Sequence, residues 1–269
     1  MTGISPDQRS CGVPRHLPAA LAAIVALTAG SHAWAQEPLP KAEQILKQAV
    51  EALGGEGAFA KLHNRVSKGT FEVAAQGLKG PLTVYEAEGN KNYSLVELEG
   101  VGKMENGSDG KVYWEKNPAV GPRILEGEEA AFQARQSTFN AIVHWPKLYK
   151  KAEVVSVESV DGQPCYKLEM TPPVGSPEKW FVDQKSHLII RMDLVYRGPM
   201  GEIPIQTVFE DYRAVDGVKL AHRVRQRLGG MLEQLITIRS VEHNADIPKD
   251  RFDLPPEIRE LLSKKSEKP

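Results

Sequence analysis

Cysteine is scarce in this chain: Cys11 and Cys165 are the only two in 269 residues. That excludes a small scaffold held by disulfides and a zinc cluster built on cysteine alone. A dominant charge is missing too, since 34 Lys and Arg stand against 35 Asp and Glu. No field of one sign draws the chain toward phosphate backbones, so a nucleic-acid partner is not expected. Aromatic residues make up only 7%. The longest uncharged apolar stretch, Leu17 to Gly30, falls short of the roughly 20 residues that a bilayer span needs. What remains, at 41% hydrophobic and 26% charged, is an ordinary globular composition. A chain of this length can bury roughly 70% of its unfolded surface without covalent staples.

Motifs of catalysis are equally thin. His63, His144, His187, His222 and His243 fall at no ligand spacing, and neither His-Glu-x-x-His nor Cys-x-x-Cys occurs. Gly100-Val101-Gly102-Lys103 has the end of a phosphate loop, but Glu97 stands where its first glycine belongs and Met104 where Ser or Thr would hold magnesium. No Gly-x-Ser-x-Gly elbow presents a nucleophile. The acidic run Glu126, Glu128 and Glu129 is explained by the dipole at a helix start. These absences predict a non-enzyme with no cofactor and no metal.

The N-terminus reads as an address. Arg9, Arg15 and His16 precede the apolar stretch, and Ala33-Trp34-Ala35 supplies a small-x-small cleavage site. The expected organisation is a signal peptide over residues 1–35, cleaved after Ala35, then one domain over 36–262 and a disordered tail over 263–269. The mature chain is then exported and near neutral. Cys165 becomes its only cysteine, read as a small apolar residue in a strand rather than a reactive thiol.

Within the domain, Ala42, Ile45, Leu46, Ala49, Val50 and Leu53 recur at helical spacing before Gly54-Gly55, which predicts an amphipathic helix over 39–53 and a short turn of helix near 57–62. A second helix is predicted over 128–145, with Ala131, Phe132, Phe139, Ile142 and Val143 on one face. Elsewhere the period is two. Alternating runs at 70–75, 82–87, 93–98, 111–114, 153–160, 165–171, 179–182, 187–196, 203–212, 218–228 and 232–241 are punctuated by turn pairs such as Gly80-Pro81, Asn106-Gly107, Asp161-Gly162 and Asp216-Gly217. About ten or eleven strands without βαβ alternation predict an α+β fold on one large curved antiparallel sheet, an incomplete β-barrel whose concave face the amphipathic helices cover. Arg223, Arg225 and Arg227 alternate on one face, with Arg191, Arg197 and Arg239 nearby. The simplest reading is a wetted outer face paired with Glu210, Asp193 or Glu233, and the functional alternative is a docking patch for acidic groups.

Several stretches carry a resemblance. Lys68-Gly69-Thr70-Phe71-Glu72-Val73, then Ser108-Asp109-Gly110-Lys111-Val112-Tyr113-Trp114 with Asn117-Pro118, resemble the LolA-like outer-membrane lipoprotein-sorting family. Glu210-Asp211-Tyr212-Arg213, Asp216-Gly217-Val218 and Phe252-Asp253-Leu254-Pro255 are similar to what its larger bacterial members show. The resemblance implies a periplasmic carrier or chaperone that shields lipoprotein acyl chains, or lipids, in an apolar cavity on the way to the outer membrane. Its implied partners are an acylated lipoprotein or lipid, an inner-membrane donor and an outer-membrane acceptor, and the carrier itself is a monomer. A sensor or protein-interaction module on the same fold is the alternative. Carriers of the family have an arginine in an early strand that helps hold the lid closed, whereas Gly89-Asn90-Lys91-Asn92-Tyr93 has none. Alternation together with the resemblance names Phe71, Trp114, Tyr166, Leu168, Met170, Trp180, Leu188, Ile190, Met192 and Leu194 as the expected ligand-binding wall. A 16-carbon chain is worth about 12 kcal/mol buried in protein or bilayer alike, so a carrier must match the membrane.

Overall fold

The computed structural model describes residues 38–199 and 201–266. The expected signal peptide and its cleavage site lie outside them. The fold is α+β, as the patterning predicts, with thirteen strands in one open, curved antiparallel sheet.

Helix α1 (Ala42–Ala52) and the single turn α2 (Glu56–Phe59) come first. Six strands follow as a meander: β1 (Asn64–Val73), β2 (Leu78–Ala87), β3 (Lys91–Leu98), β4 (Gly102–Asp109), β5 (Tyr113–Asn117) and β6 (Gly121–Ile124). A helical segment holds α3 (Gly127–Gln136), a 3-10 turn over Ala141–His144 and α4 (Trp145–Leu148). Seven more strands form the second meander: β7 (Lys151–Val160), β8 (Gln163–Thr171), β9 (Glu178–Asp183), β10 (Ile189–Gly198), β11 (Gly201–Val215), β12 (Val218–Leu228) and β13 (Leu232–His243). Helix α5 (Pro256–Ser266) closes the described chain, so residues 263–266, expected in a tail, form its last turn.

The two meanders join where β1 pairs with β13, leaving β6 and β7 as the unpaired edges. The helical segment connects those two edges. It therefore crosses the open side of the curve, and α1 lies against the same inner face. The outer face is covered in part by the C-terminal segment: Arg251 stacks its guanidinium 4.7 Å from the Tyr85 ring centroid and 5.3 Å from that of Tyr93, and Ile258 of α5 is fully buried.

Two strands exceed the expected eleven, β4 and β6. The β4 sequence Gly-Lys-Met-Glu-Asn-Gly-Ser-Asp has almost no apolar alternation, and its Asn106-Gly107, read as a turn, sits mid-strand against β3 and β5. Gly80, read as a divider, lies inside β2 because a Cβ there would stand 1.8 Å from the Glu97 carbonyl oxygen of β3. The helix predicted over 128–145 is broken after Gln136. Ser137 and Thr138 donate their hydroxyls back to the carbonyls of Gln133 and Ala134 at 2.7 and 2.8 Å, and Asn140 takes a left-handed φ of 53°.

Candidate functional site

Paired residues of an antiparallel ladder point to the same side, so the register sorts each side chain by face. On the inner face α1 lays Ala42, Ile45, Leu46 and Ala49 against Leu168, Met170, Trp180, Val182 and Ile189. Leu46, Ala49, Leu168, Met170 and Val182 have no exposed surface, so this half of the wall is closely packed. Of the expected wall, Leu168, Met170 and Trp180 stand in this cluster, and Tyr166 and Met192 border it. Leu188 packs instead with Leu53, Phe59, Phe139 and Val218 beneath α2. Phe71 joins Val73, Leu82, Val96 and Leu98. Leu194 lines an apolar groove of about 420 Å³ with Val195, Pro204 and Ile205 near the far ends of the strands.

Two of the ten are on the outer face. Trp114 pairs across to Gly107 and Ile124, and its ring lies 6.2 Å from that of Tyr93, which Arg251 covers from outside. Ile190 packs with Val160, Cys165 and Phe181. The cause is a bulge between Ile189 and Arg191, which puts Ile189 inward and breaks the alternation on which Leu188, Ile190 and Met192 were aligned. Cys165 is buried in that outer cluster, and burial raises its thiol pKa, as the reading of an inert apolar residue requires. Five of the six arginines are ion-paired: Arg223 and Arg225 with Glu210, Arg227 with Glu233, Arg191 with Asp193, and Arg197 with Glu128 and Glu202.

The space on the inner side lies beyond the end of α1. A cavity of about 460 Å³ has an apolar wall from Leu82 and Val84 of β2, Phe209 of β11, Val224 of β12 and Ile236 and Ile238 of β13. None of the ten expected residues lines it. Its cover is Leu53, Phe59 and residues 136–142. Arg65, Ser67, Glu86, Ser94, Tyr212 and Lys219 of the sheet and Gln136, Thr138 and Asn140 of the cover add polar groups. Arg65 commits Nε and Nη2 to Glu86 Oε2 at 2.8 and 2.6 Å, and its guanidinium sits 5.6 Å from the Phe139 ring centroid of the cover. An early-strand arginine thus does stand on the inner wall, in β1 rather than at 89–93. The alternation Arg65, Ser67, Gly69, Phe71 was the available signal. The Asn140 Oδ1 is buried without a hydrogen-bond partner.

Two polar links hold α3 across the open side. Arg135 donates Nε to Glu178 Oε1 at 2.8 Å, with side chains only 6% and 1% exposed. The Tyr149 hydroxyl and the Trp180 indole donate to Glu178 Oε2 at 2.6 and 3.2 Å, so every charge in the cluster has partners. Burial, then the Glu178 charge, raises the Tyr149 pKa and keeps it a neutral donor. At the other end of α3, Arg123 of β6 forks onto both Glu129 oxygens at 2.9 Å and reaches Glu115 at 2.6 Å, and the Tyr196 hydroxyl donates to Glu129. The Arg123 hydrogen bonds hold the Glu129 carboxyl below the usual carboxylate range, and burial pushes Tyr196 up to about 12. Among the described residues no three His, Cys, Asp or Glu side chains are grouped as a metal would need, and no helix is long and apolar enough to cross a membrane.

An open antiparallel half-barrel with helices on its inner face defines a LolA-like fold. Solved structures bear this out. The chain is similar to a DUF1329 family protein from Desulfovibrio piger at 18% identity and a TM-score of 0.54, over 80% of this chain and 98% of that one. It is similar to a LolA superfamily protein from Nitrosomonas europaea at 15% identity and 0.54, over 80% and 99%. A putative outer membrane lipoprotein-sorting protein domain from Vibrio parahaemolyticus aligns at 14% identity and 0.51, over 79% and 97%. No protein-family model and no curated protein sequence matches the chain.

Proposed function

We propose that this protein is a periplasmic carrier or chaperone that shelters acyl chains, of lipoproteins or of lipids, in the cavity between the inner sheet face and its helical cover, for transfer toward the outer membrane. The observation that carries the reading is the unfilled, mostly apolar space beneath residues 136–142, beside a half of the same wall that is packed shut. The similarity in fold to a lipoprotein-sorting domain supports it. So does the division of the cover into short pieces, α2, the last turn of α3 and the 3-10 turn that starts at Ala141, which can shift separately where one long helix would have to move as a unit. Donor and acceptor at the two membranes belong to the same proposal, as does export through the signal peptide.

The test is native mass spectrometry of protein purified from the cell envelope, with organic extraction of what it carries. A discrete added mass that extracts as an acylated species, on a chain whose first residue is Gln36, is the expected result. A bare mass together with failure to take up any lipid or lipopeptide at high concentration would overturn carriage and favour a protein-binding module on the same fold.

A further inference from the structure

The sheet ends in two edges, and they are built differently. β6 has four residues, Pro122 among them, and α5, whose Ile258 is fully buried, packs against it. A proline has no N–H to offer a further strand, so that edge is closed. β7 has ten residues, no proline and a neighbour on one side only, β8. Val155 and Val157 are 44% and 47% exposed along it. A long uncovered edge with exposed β-branched residues is a template for another strand.

A bulge in β7 decides which strand fits. Against β8, Ala152 and Val157 pair with Met170 and Tyr166 on the inner side, while Lys151, Glu153, Ser156 and Glu158 pair with Thr171, Glu169, Lys167 and Cys165 on the outer side. Val155 is the extra residue between Val154 and Ser156. A regular strand laid along the free edge lacks that residue and would lose register across it. A second copy of this chain has it. When two β7 strands run antiparallel about a two-fold axis between Val154 and Val155, equal numbers of residues separate the matched positions, and outer residues meet outer ones. Lys151 of each copy then stands opposite Glu158 of the other, Ala152 opposite Val157, and Glu153 opposite Ser156. The register two residues along also matches the faces, but it sets Glu153 opposite Glu158 twice, and like charges there oppose it. Lys151 and Glu158 can reach across, because their side chains are 60% and 43% exposed and their present partners, Glu153 and Lys167, lie on the same outer face. Lys150, just before the strand, gives its ammonium to the Pro173 carbonyl. We propose that β7 is a dimerisation edge, which joins two copies of this chain into one continuous sheet in place of the monomer that the family resemblance implies. Strands β8 to β10 separate this joint from the open space, so the pairing does not depend on what the cavity holds.

Analytical ultracentrifugation of the purified protein over a wide range of concentration tests this. The expected result is a monomer–dimer equilibrium that weakens as salt is raised. Lys151→Glu and Glu158→Lys each set like charges opposite one another at both ends of the joint, and each should weaken the dimer at least about tenfold with little change in the urea midpoint. Combining the two substitutions restores opposite charges in the same register and should bring the affinity back. A chain that stays monomeric at every concentration would overturn the proposal. So would a dimer that neither single variant weakens, because it would be formed on another surface. A combined variant that dimerises no better than the single ones would overturn the register of Lys151 against Glu158.

Discussion

The inner wall of the half-barrel is two different surfaces. Beneath α1, strands β7 to β10 present Leu168, Met170, Trp180 and Val182 to a continuous apolar helix stripe, and the interface is filled. Beneath residues 136–142, strands β1, β2 and β11 to β13 present Leu82, Val84, Phe209, Val224, Ile236 and Ile238, with Arg65, Ser67 and Glu86 at one end, to a cover that is broken, partly polar and incomplete, and about 460 Å³ stays open. The lesson is that apolar lining does not distinguish core from cavity. The regularity of what lies opposite does.

The largest expected effect comes from the link that keeps the cover in place. Glu178→Ala leaves the buried Arg135 without its partner and should destabilise the fold by about 3–5 kcal/mol, read as a lower urea midpoint. Replacing both residues with methionine should recover most of that loss. Next comes the contrast between the two walls. Leu46→Ala in the packed half should cost about 3 kcal/mol, whereas Ile236→Ala beside the open space should cost only about 1 kcal/mol, because its neighbours already leave contacts unmade. Equal costs would mean that the second wall is as well packed as the first.

Filling the space sharpens the same comparison. Val224→Phe should reduce acyl-ligand uptake at least tenfold while changing stability by no more than about 1 kcal/mol, as judged by probe displacement and urea unfolding together. A smaller effect is pH-dependent. Glu129 is charged more readily in the folded protein than in the unfolded chain, where a glutamate titrates near about 4.3. Its contribution is therefore complete above about pH 5 and is lost as pH falls through its lowered value. Hydrogen exchange of the first turn of α3 should accelerate over that acid range, and Glu129→Gln should flatten the dependence. The smallest effect is expected outside: Arg227→Ala breaks an exposed pair with Glu233 and should change stability by less than about 0.5 kcal/mol.

Much of the architecture was legible in the residues. The α1 stripe, the Asp-Gly hairpins and the paired arginine face of β12 are local patterns, and each is found where the period put it. What failed was whatever depended on a neighbour. β4 is a strand because β3 and β5 flank it, although its own residues spell turns. Trp114 faces outward because the C-terminal segment, more than a hundred residues on, covers that side. Ile190 faces outward because of one bulge, and a single inserted residue reverses every face assignment across it. Of the ten expected wall residues, Tyr166, Leu168, Met170, Trp180 and Met192 fall in or beside the filled cluster under α1, Trp114 and Ile190 face outward, and none lines the open space.

Residue patterning is enough to set the class of fold, since period-two and period-3.6 repeats follow from backbone geometry that each segment carries alone. Which apolar residues touch each other and which surround a space is fixed by how distant segments meet. That depends on how a helical cover, broken at Ser137 to Asn140 and tied down by Arg123 and Arg135, meets a sheet assembled from both halves of the chain. Whether a wall packs or stays open is a property of two surfaces together, and no single stretch of residues contains it.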